Sequence, residues 1–265
     1  MSTLIEAIGF ELASLEDFED QDRARRVIER LVGASSKELR PKRYGFDEPV
    51  TQSVDEDDLR PMIDRWLHGP GTGDWPGEER EGGVILQSSS LTGYQVSWRK
   101  AVEPTFSFVG GQVGAALLRK QPDLLAELEG LVKDLIPLLL PAYGEIRNMS
   151  LRGADLPLDL RRRLPDIPWV SIYGPPYVSL FGRERLLAAP FTRVDEVHPG
   201  YIWAQASDSA FDVVPDEAKN AIRMHLGDDA FMSGGRWRYT DGKAPSFDFS
   251  KVVVGSHPRP GGRQA

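Results

Sequence analysis

The segment from Pro168 to Pro190 restricts the fold of this chain more than any other stretch. Trp169, Val170, Ile172 and Tyr173 precede Gly174-Pro175-Pro176, and Tyr177, Val178, Leu180 and Phe181 follow it. Two consecutive prolines remove two backbone donors and hold φ near −65°, so no strand or helix interior runs through them. The pattern predicts a turn between two strands, Trp169 to Tyr173 and Tyr177 to Phe181. A short helix over 183–189 follows, which Pro190 stops. Nothing in the segment is a nucleophile, a metal ligand or a phosphate cradle.

Around it, periodicity predicts an α+β fold of antiparallel sheets packed with helices, built either as one large domain or as two similar fused halves. The divisions read from the sequence are an N-terminal half over 1–150, a C-terminal half over 151–254 and a disordered tail over 255–265. A helix is expected from Asp20 to Val32, ended by Gly33, and a short strand within 42–50. A second helix is expected to start in Val54-Asp55-Glu56-Asp57-Asp58 and to carry Met62, Ile63 and Trp66. Residues 69–83 read as a glycine-rich surface loop, without the GKS or GKT ending of a phosphate-binding loop. Strands follow at 84–87, 94–98 and 105–109; Gly110-Gly111 is expected to end the third. An apolar helix starts at Pro122-Asp123, and Pro137 kinks or ends it. Further strands are expected at 143–147, at 201–206 and at 246–249, the last closing the sheet. A helix begins at Pro215-Asp216-Glu217 and is capped at Gly227.

Composition removes several function classes. The 265 residues contain no cysteine, which excludes a disulfide framework, a thiol nucleophile and Cys-ligated metal. A net charge of −8 argues against nucleic-acid binding, where affinity comes from Lys and Arg on phosphates. The excess is uneven: residues 1–60 hold 15 acids against 9 bases, so electrostatic contacts are expected at the N-terminal end. Arg161-Arg162-Arg163 is the one dense basic run and reads as a solvated or salt-bridged face. The start of the chain lacks a secretory pattern and no apolar run reaches membrane-spanning length, so a cytoplasmic protein is expected.

No catalytic constellation is legible. His68, His198, His225 and His257 include no pair at i, i+4 spacing, no serine lies in a Gly-x-Ser-x-Gly elbow, and adjacent acids such as Asp228-Asp229 point apart in regular structure. The expectation is a protein that is not an enzyme and carries neither cofactor nor metal.

Trp169, Gly174-Pro175-Pro176-Tyr177, Leu180-Phe181-Gly182, Leu186-Leu187 and Pro190 carry a likeness, continued by Gly200-Tyr201-Ile202, Phe211-Asp212 and His225-Leu226-Gly227 through Phe231. This pattern resembles bacterial immunity proteins of polymorphic-toxin and type VI secretion systems, in particular the group called immunity protein 52. It is clearest over 169–231 and weaker over 84–145; the lack of cysteine departs from some relatives. The resemblance implies a cytoplasmic, non-catalytic protein that neutralises a cognate toxin, a nuclease in the immunity protein 52 group, by covering its active site. An acidic protein suits a basic nuclease cleft. Asp55, Glu56, Asp57, Asp58 and Trp75 are the expected partner contacts, with no direct contact to nucleic acid or membrane. The competing readings are an enzyme or small-ligand protein with a pocket between the halves, marked by His198 or His225 beside carboxylates, and a structural interaction protein.

Overall fold

The computed structural model describes residues 6–69, 79–151, 160–231 and 244–254. The expected tail, 255–265, and Trp75 lie outside them.

Among the described residues ten strands form one sheet in the order β3-β2-β4-β5-β6-β1-β7-β8-β10-β9. They are β1 (Ala7–Ser14), β2 (Arg43–Gly45), β3 (Gln52–Ser53), β4 (Arg80–Ser89), β5 (Thr92–Lys100), β6 (Ser107–Gly114), β7 (Pro141–Asn148), β8 (Val170–Tyr173), β9 (Arg193–His198) and β10 (Tyr201–Gln205). All pairings between them are antiparallel. The helices are α1 (Gln21–Val32), α2 (Arg60–Leu67), α3 (Ala115–Lys120), α4 (Pro122–Leu139), α5 (Pro175–Phe181), α6 (Arg183–Leu187) and α7 (Asp216–Leu226). The sheet passes without a break across residue 150, because β7 pairs β8 with Tyr143 opposite Tyr173 and Ile146 opposite Val170.

Period-two alternation gives the sheet two different faces. On the first, Phe10, Leu12, Tyr94, Val96, Val109, Ile146, Ile172 and Trp203 form one buried cluster with the apolar stripes of α1, α2 and α4. Tryptophan N–H groups fasten this layer, Trp66 donating to the Phe18 carbonyl at 2.7 Å and Trp98 to the Trp66 carbonyl at 2.8 Å. Asp20 caps α1, accepting from the backbone N–H groups of Asp22 and Arg23. On the second face, α5, α6 and α7 pack over β7 to β10 around Tyr143, Tyr173, Tyr177 and Phe181.

Several expectations are corrected. Tyr177–Phe181 is not a strand: Gly174 is the N-cap and the two prolines occupy the first turn of α5. Missing donors cost nothing there, and the helix stacks Tyr177 and Phe181 four residues apart, ring centroids 6.2 Å. Gly110 and Gly111 do not end β6, which runs through both to Gly114. A Cβ on Gly111 would lie 2.6 Å from the Tyr94 ring and 2.7 Å from the Phe10 ring, so glycine there makes room for two aromatics. Arg80–Gly83 belongs to β4 rather than to a loop; Gly82 lies directly under the Trp66 carbonyl and the Trp98 ring, which lets α2 approach the sheet. Asp55–Asp58 precede α2 rather than forming its first turn, which carries no acid. Residues 246–249 form no strand. Phe247 and Phe249 set their rings against Phe106, centroids 5.1 and 5.5 Å away, so the alternation reflects two aromatics turned into the second core.

Candidate functional site

Beyond the reach of α5 to α7, no described helix covers the second face of the sheet over β4, β5, β6 and β1, and among the described residues a cleft of 480 Å³ lies on it. Its described lining comes from strands, their connections and Met149 of a short 3-10 turn; none is from α1 to α7. The register explains the floor. Gly9, Gln112, Gly93 and Gln87 stand side by side across four strands, and Glu11, Gly110, Gln95 and Ile85 form the next row. On β5 the polar residues are the outward half of an alternation whose inward half is core: Gln95 and Ser97 are exposed, while Tyr94, Val96 and Trp98 are buried. Glu48, from the loop between β2 and β3, and Ser89-Ser90 of the β4–β5 hairpin also line it.

At the boundary with the covered half sits an ion pair. Glu145, 2% exposed, accepts from Arg147 two residues along β7. Glu11 stands directly across the strand pair from Glu145. Burial disfavours the Arg147 charge, but Glu145, with Glu11 as a further contributor, outweighs it and holds that guanidinium above its ordinary pKa. Behind the pair, Tyr143 is pushed well above the usual phenol range, first by burial and then by Glu145. Tyr173 is raised by burial as well.

The expected contacts fall elsewhere. Asp55, Glu56 and Asp57 are exposed in the connection from β3 to α2, where Asp55 Oδ1 accepts from the Asp57 N–H at 3.0 Å. Asp58 is paired with Arg60 at 2.7 Å, and that hydrogen bond holds its carboxyl below the ordinary range. The cleft does not include this tetrad.

The wider N-terminal acid excess is largely consumed within the fold. Glu6 pairs with Arg119, Glu16 with Arg23 and Lys251, Asp17 and Glu19 with Lys100, and Asp22 with Arg25. Lys100, Arg119 and Lys251 come from distant segments and Arg23 and Arg25 from α1 itself, so these carboxylates are paired within the fold rather than forming an unpaired acidic surface.

Among the described residues the histidines do not gather with carboxylates into a site. Neither His198 nor His225 lines the cleft or a second groove of 380 Å³ beside Pro175, Pro176 and Tyr201. His225 ties α7 to α6: Arg185 Nε donates to its carbonyl at 2.6 Å, and its Nε2 lies 2.9 Å from the Arg185 carbonyl. Among the described residues no three histidine or carboxylate side chains are placed to hold a metal ion, and no helix is long and apolar enough to cross a membrane.

Glu11, Gln95, Gln112, Glu145 and Arg147 escaped sequence reasoning. Their only signal is the polar half of strand alternation at Glu11, Gln95-x-Ser97, Gln112 and Glu145-x-Arg147, which describes any half-solvated sheet until the register aligns the strands.

No protein-family description matches the chain, and no curated protein matches it in sequence. Among solved structures the fold is similar to that of the Pseudomonas aeruginosa T6SS protein PA0821, with a TM-score of 0.57 and 12% identity over 94% of this chain and 82% of that one. At that identity the likeness is one of fold.

Proposed function

We propose that this protein serves a type VI secretion system as an immunity protein, binding a cognate antibacterial toxin and blocking it without a reaction of its own. The observation that carries the reading is the fold likeness to a protein named for that system, which extends over 94% of the chain. The resemblance around the Gly-Pro-Pro segment points the same way. In this reading the toxin is a nuclease whose active site is covered, and the exposed Asp55, Glu56 and Asp57 belong to the contact surface. A stable complex of this kind buries on the order of 1,600 Å², and a rigid sheet and its loops supply such a surface with little ordering cost.

The test is to identify the genes flanking this one and to co-express the chain with any toxin or effector gene found there. Rescued growth and co-elution of the two proteins are expected; growth arrest with no complex overturns the proposal. The cleft volume of 480 Å³ lies within the span of small-molecule sites, which favours a ligand-binding protein as the second reading. Turnover or tight binding of a metabolite, abolished by Glu145→Gln, would establish it instead.

A further inference from the structure

We propose that residues 244–254 form a releasable strap, a segment that detaches from the body as a unit while the sheet stays folded. Ser246, Asp248 and Lys251 of this segment share the lining of the 380 Å³ groove with Glu16, Pro175 and Tyr201, so release takes one wall away from that groove.

Main-chain fastening is sparse. The segment contains no helix and no strand. Among the described residues it meets the main chain of the body at a single parallel bridge between Ala101 and Val253, where the Val254 N–H donates to the Ala101 carbonyl at 3.3 Å. Its other backbone bonds are internal: the Val252 N–H donates to the Phe249 carbonyl at 3.0 Å, and the Ser250 N–H to Asp248 Oδ1 at 2.9 Å. Release therefore breaks none of the ladders that join the ten strands.

Side chains supply the rest. Phe247 and Phe249, two residues apart on an extended run, set their rings against Phe106, and Phe247 also lies 6.0 Å from the Tyr177 ring. Both strap rings are only partly buried, whereas Phe106 and Tyr177 beneath them are buried. Val252 and Val254 are buried at the bridge end. Lys251 adds an ion pair, its Nζ 2.7 Å from Glu16 Oε1, while Arg23 holds Oε2 of the same carboxylate at 2.8 Å. Arg23 also donates to the Leu138 carbonyl, so the body side of this latch is fixed. The strap side is a lysine more than half exposed, and exposed pairs contribute little.

Segments open separately from the whole where few buried apolar contacts and few main-chain bonds have to be broken. Two partly buried rings, two valines, one bridge and one exposed ion pair separate the closed strap from the open one. The core beneath keeps its own packing, because Tyr173, Tyr177 and Phe181 contact one another without the strap. Detachment lays bare Phe106 and the edge of Tyr177, an aromatic surface that the closed form hides.

Hydrogen exchange of the full chain, resolved by NMR over a series of low urea concentrations, tests this. The Ser250, Val252 and Val254 amides report the strap, and amides of β1 and β7 in the middle of the sheet report global unfolding. Strap exchange should be faster than that of β1 and β7, with a urea dependence above zero but well below theirs, because release exposes some surface and not the main core. Phe247→Ala should speed strap exchange about tenfold, the equivalent of about 1.4 kcal/mol. Lys251→Gln, which removes only the exposed ion pair, should speed it less. Strap amides with the same urea dependence as β1 and β7 belong to the global unit and overturn the proposal. A urea dependence of zero also overturns it, because exchange then occurs without the segment leaving the body. Strap rates unchanged by Phe247→Ala overturn it as well, since the rings then do not hold the segment.

Discussion

Replacing Arg147 by Met tests whether the Glu145 pair is integral to the sheet. Glu145 is 2% exposed, and the side chain of Arg147 retains 16% of its accessible surface. The substitution keeps length and removes charge, leaving a carboxylate that water barely reaches. At an effective dielectric near 20, an ion pair at about 4 Å contributes roughly 4 kcal/mol of Coulomb energy. Loss of one partner of a buried pair costs about 3–5 kcal/mol in general. Glu11 adds to the penalty, because it faces Glu145 across β1 and β7, and directly opposed like charges destabilise a strand pair. Partial access to solvent at Arg147 reduces the figure, and we expect about 3 kcal/mol. For a chain of this size that is a fall in Tm of about 6–12 °C. The sign of the pH dependence is specific. Without the guanidinium a buried carboxylate is left uncompensated, a cost that burial places on the charged form, so the variant gains relative stability as pH falls. Urea denaturation at pH 7.5 and pH 5 should show the deficit shrinking, and Glu145→Gln added to Arg147→Met should recover most of it. A deficit below 1 kcal/mol, equal at both pH values, refutes the reasoning.

Gly111→Ala should cost about 1–3 kcal/mol in thermal denaturation, because its methyl group meets the Phe10 and Tyr94 rings at 2.7 and 2.6 Å. Asp20→Ala removes the acceptor for two N–H groups at the start of α1 and should cost about 1 kcal/mol, with Asp20→Ser recovering most of it. Glu6, Glu79 and Glu196 are each held below their ordinary range first by a hydrogen bond from arginine. Folded pKa values below the unfolded ones mean stability present above about pH 4.3 and lost as acid protonates these groups, which a denaturation series from pH 6 to pH 3 will show. Tyr94, Tyr143 and Tyr173 are raised by burial, and Tyr201 is pushed up to about 12 first by burial and then by Glu16. Their contribution is complete below about pH 10 and lost above it, so phenolate absorbance should rise in one cooperative step with loss of near-UV dichroism.

Helices that carry a cap and a stripe were legible from residues alone: Asp20 and Gly33 bracket α1, and Pro215 and Gly227 bracket α7. Strands with clean alternation, such as Tyr94 to Trp98, were legible for the same reason. The failures share a cause. Pro175-Pro176 suits a turn and a first helical turn equally well, and only the stacking of Tyr177 on Phe181 in a tertiary core selects the helix. Gly110-Gly111 signals a break locally, yet Gly111 answers to Phe10, about a hundred positions earlier in the chain. The cleft is a property of register: Glu11 meets Glu145 only because β1 inserts between β6 and β7. The acidic N-terminus misled in the same way, since Lys100, Arg119 and Lys251 reach it only after folding.

That insertion of β1 bears on how the molecule comes to exist. Ala7–Ser14 is made before both of its neighbours, β6 and β7, so its edges stay unsatisfied until Asn148 has been made. Closing such distant contacts is slow, and in the meantime Ile8, Phe10 and Leu12 form an apolar strand open to misassembly. Bisecting the gene near residue 150 would therefore strip β7 and β8 of each other and yield two fragments that each expose a raw sheet edge.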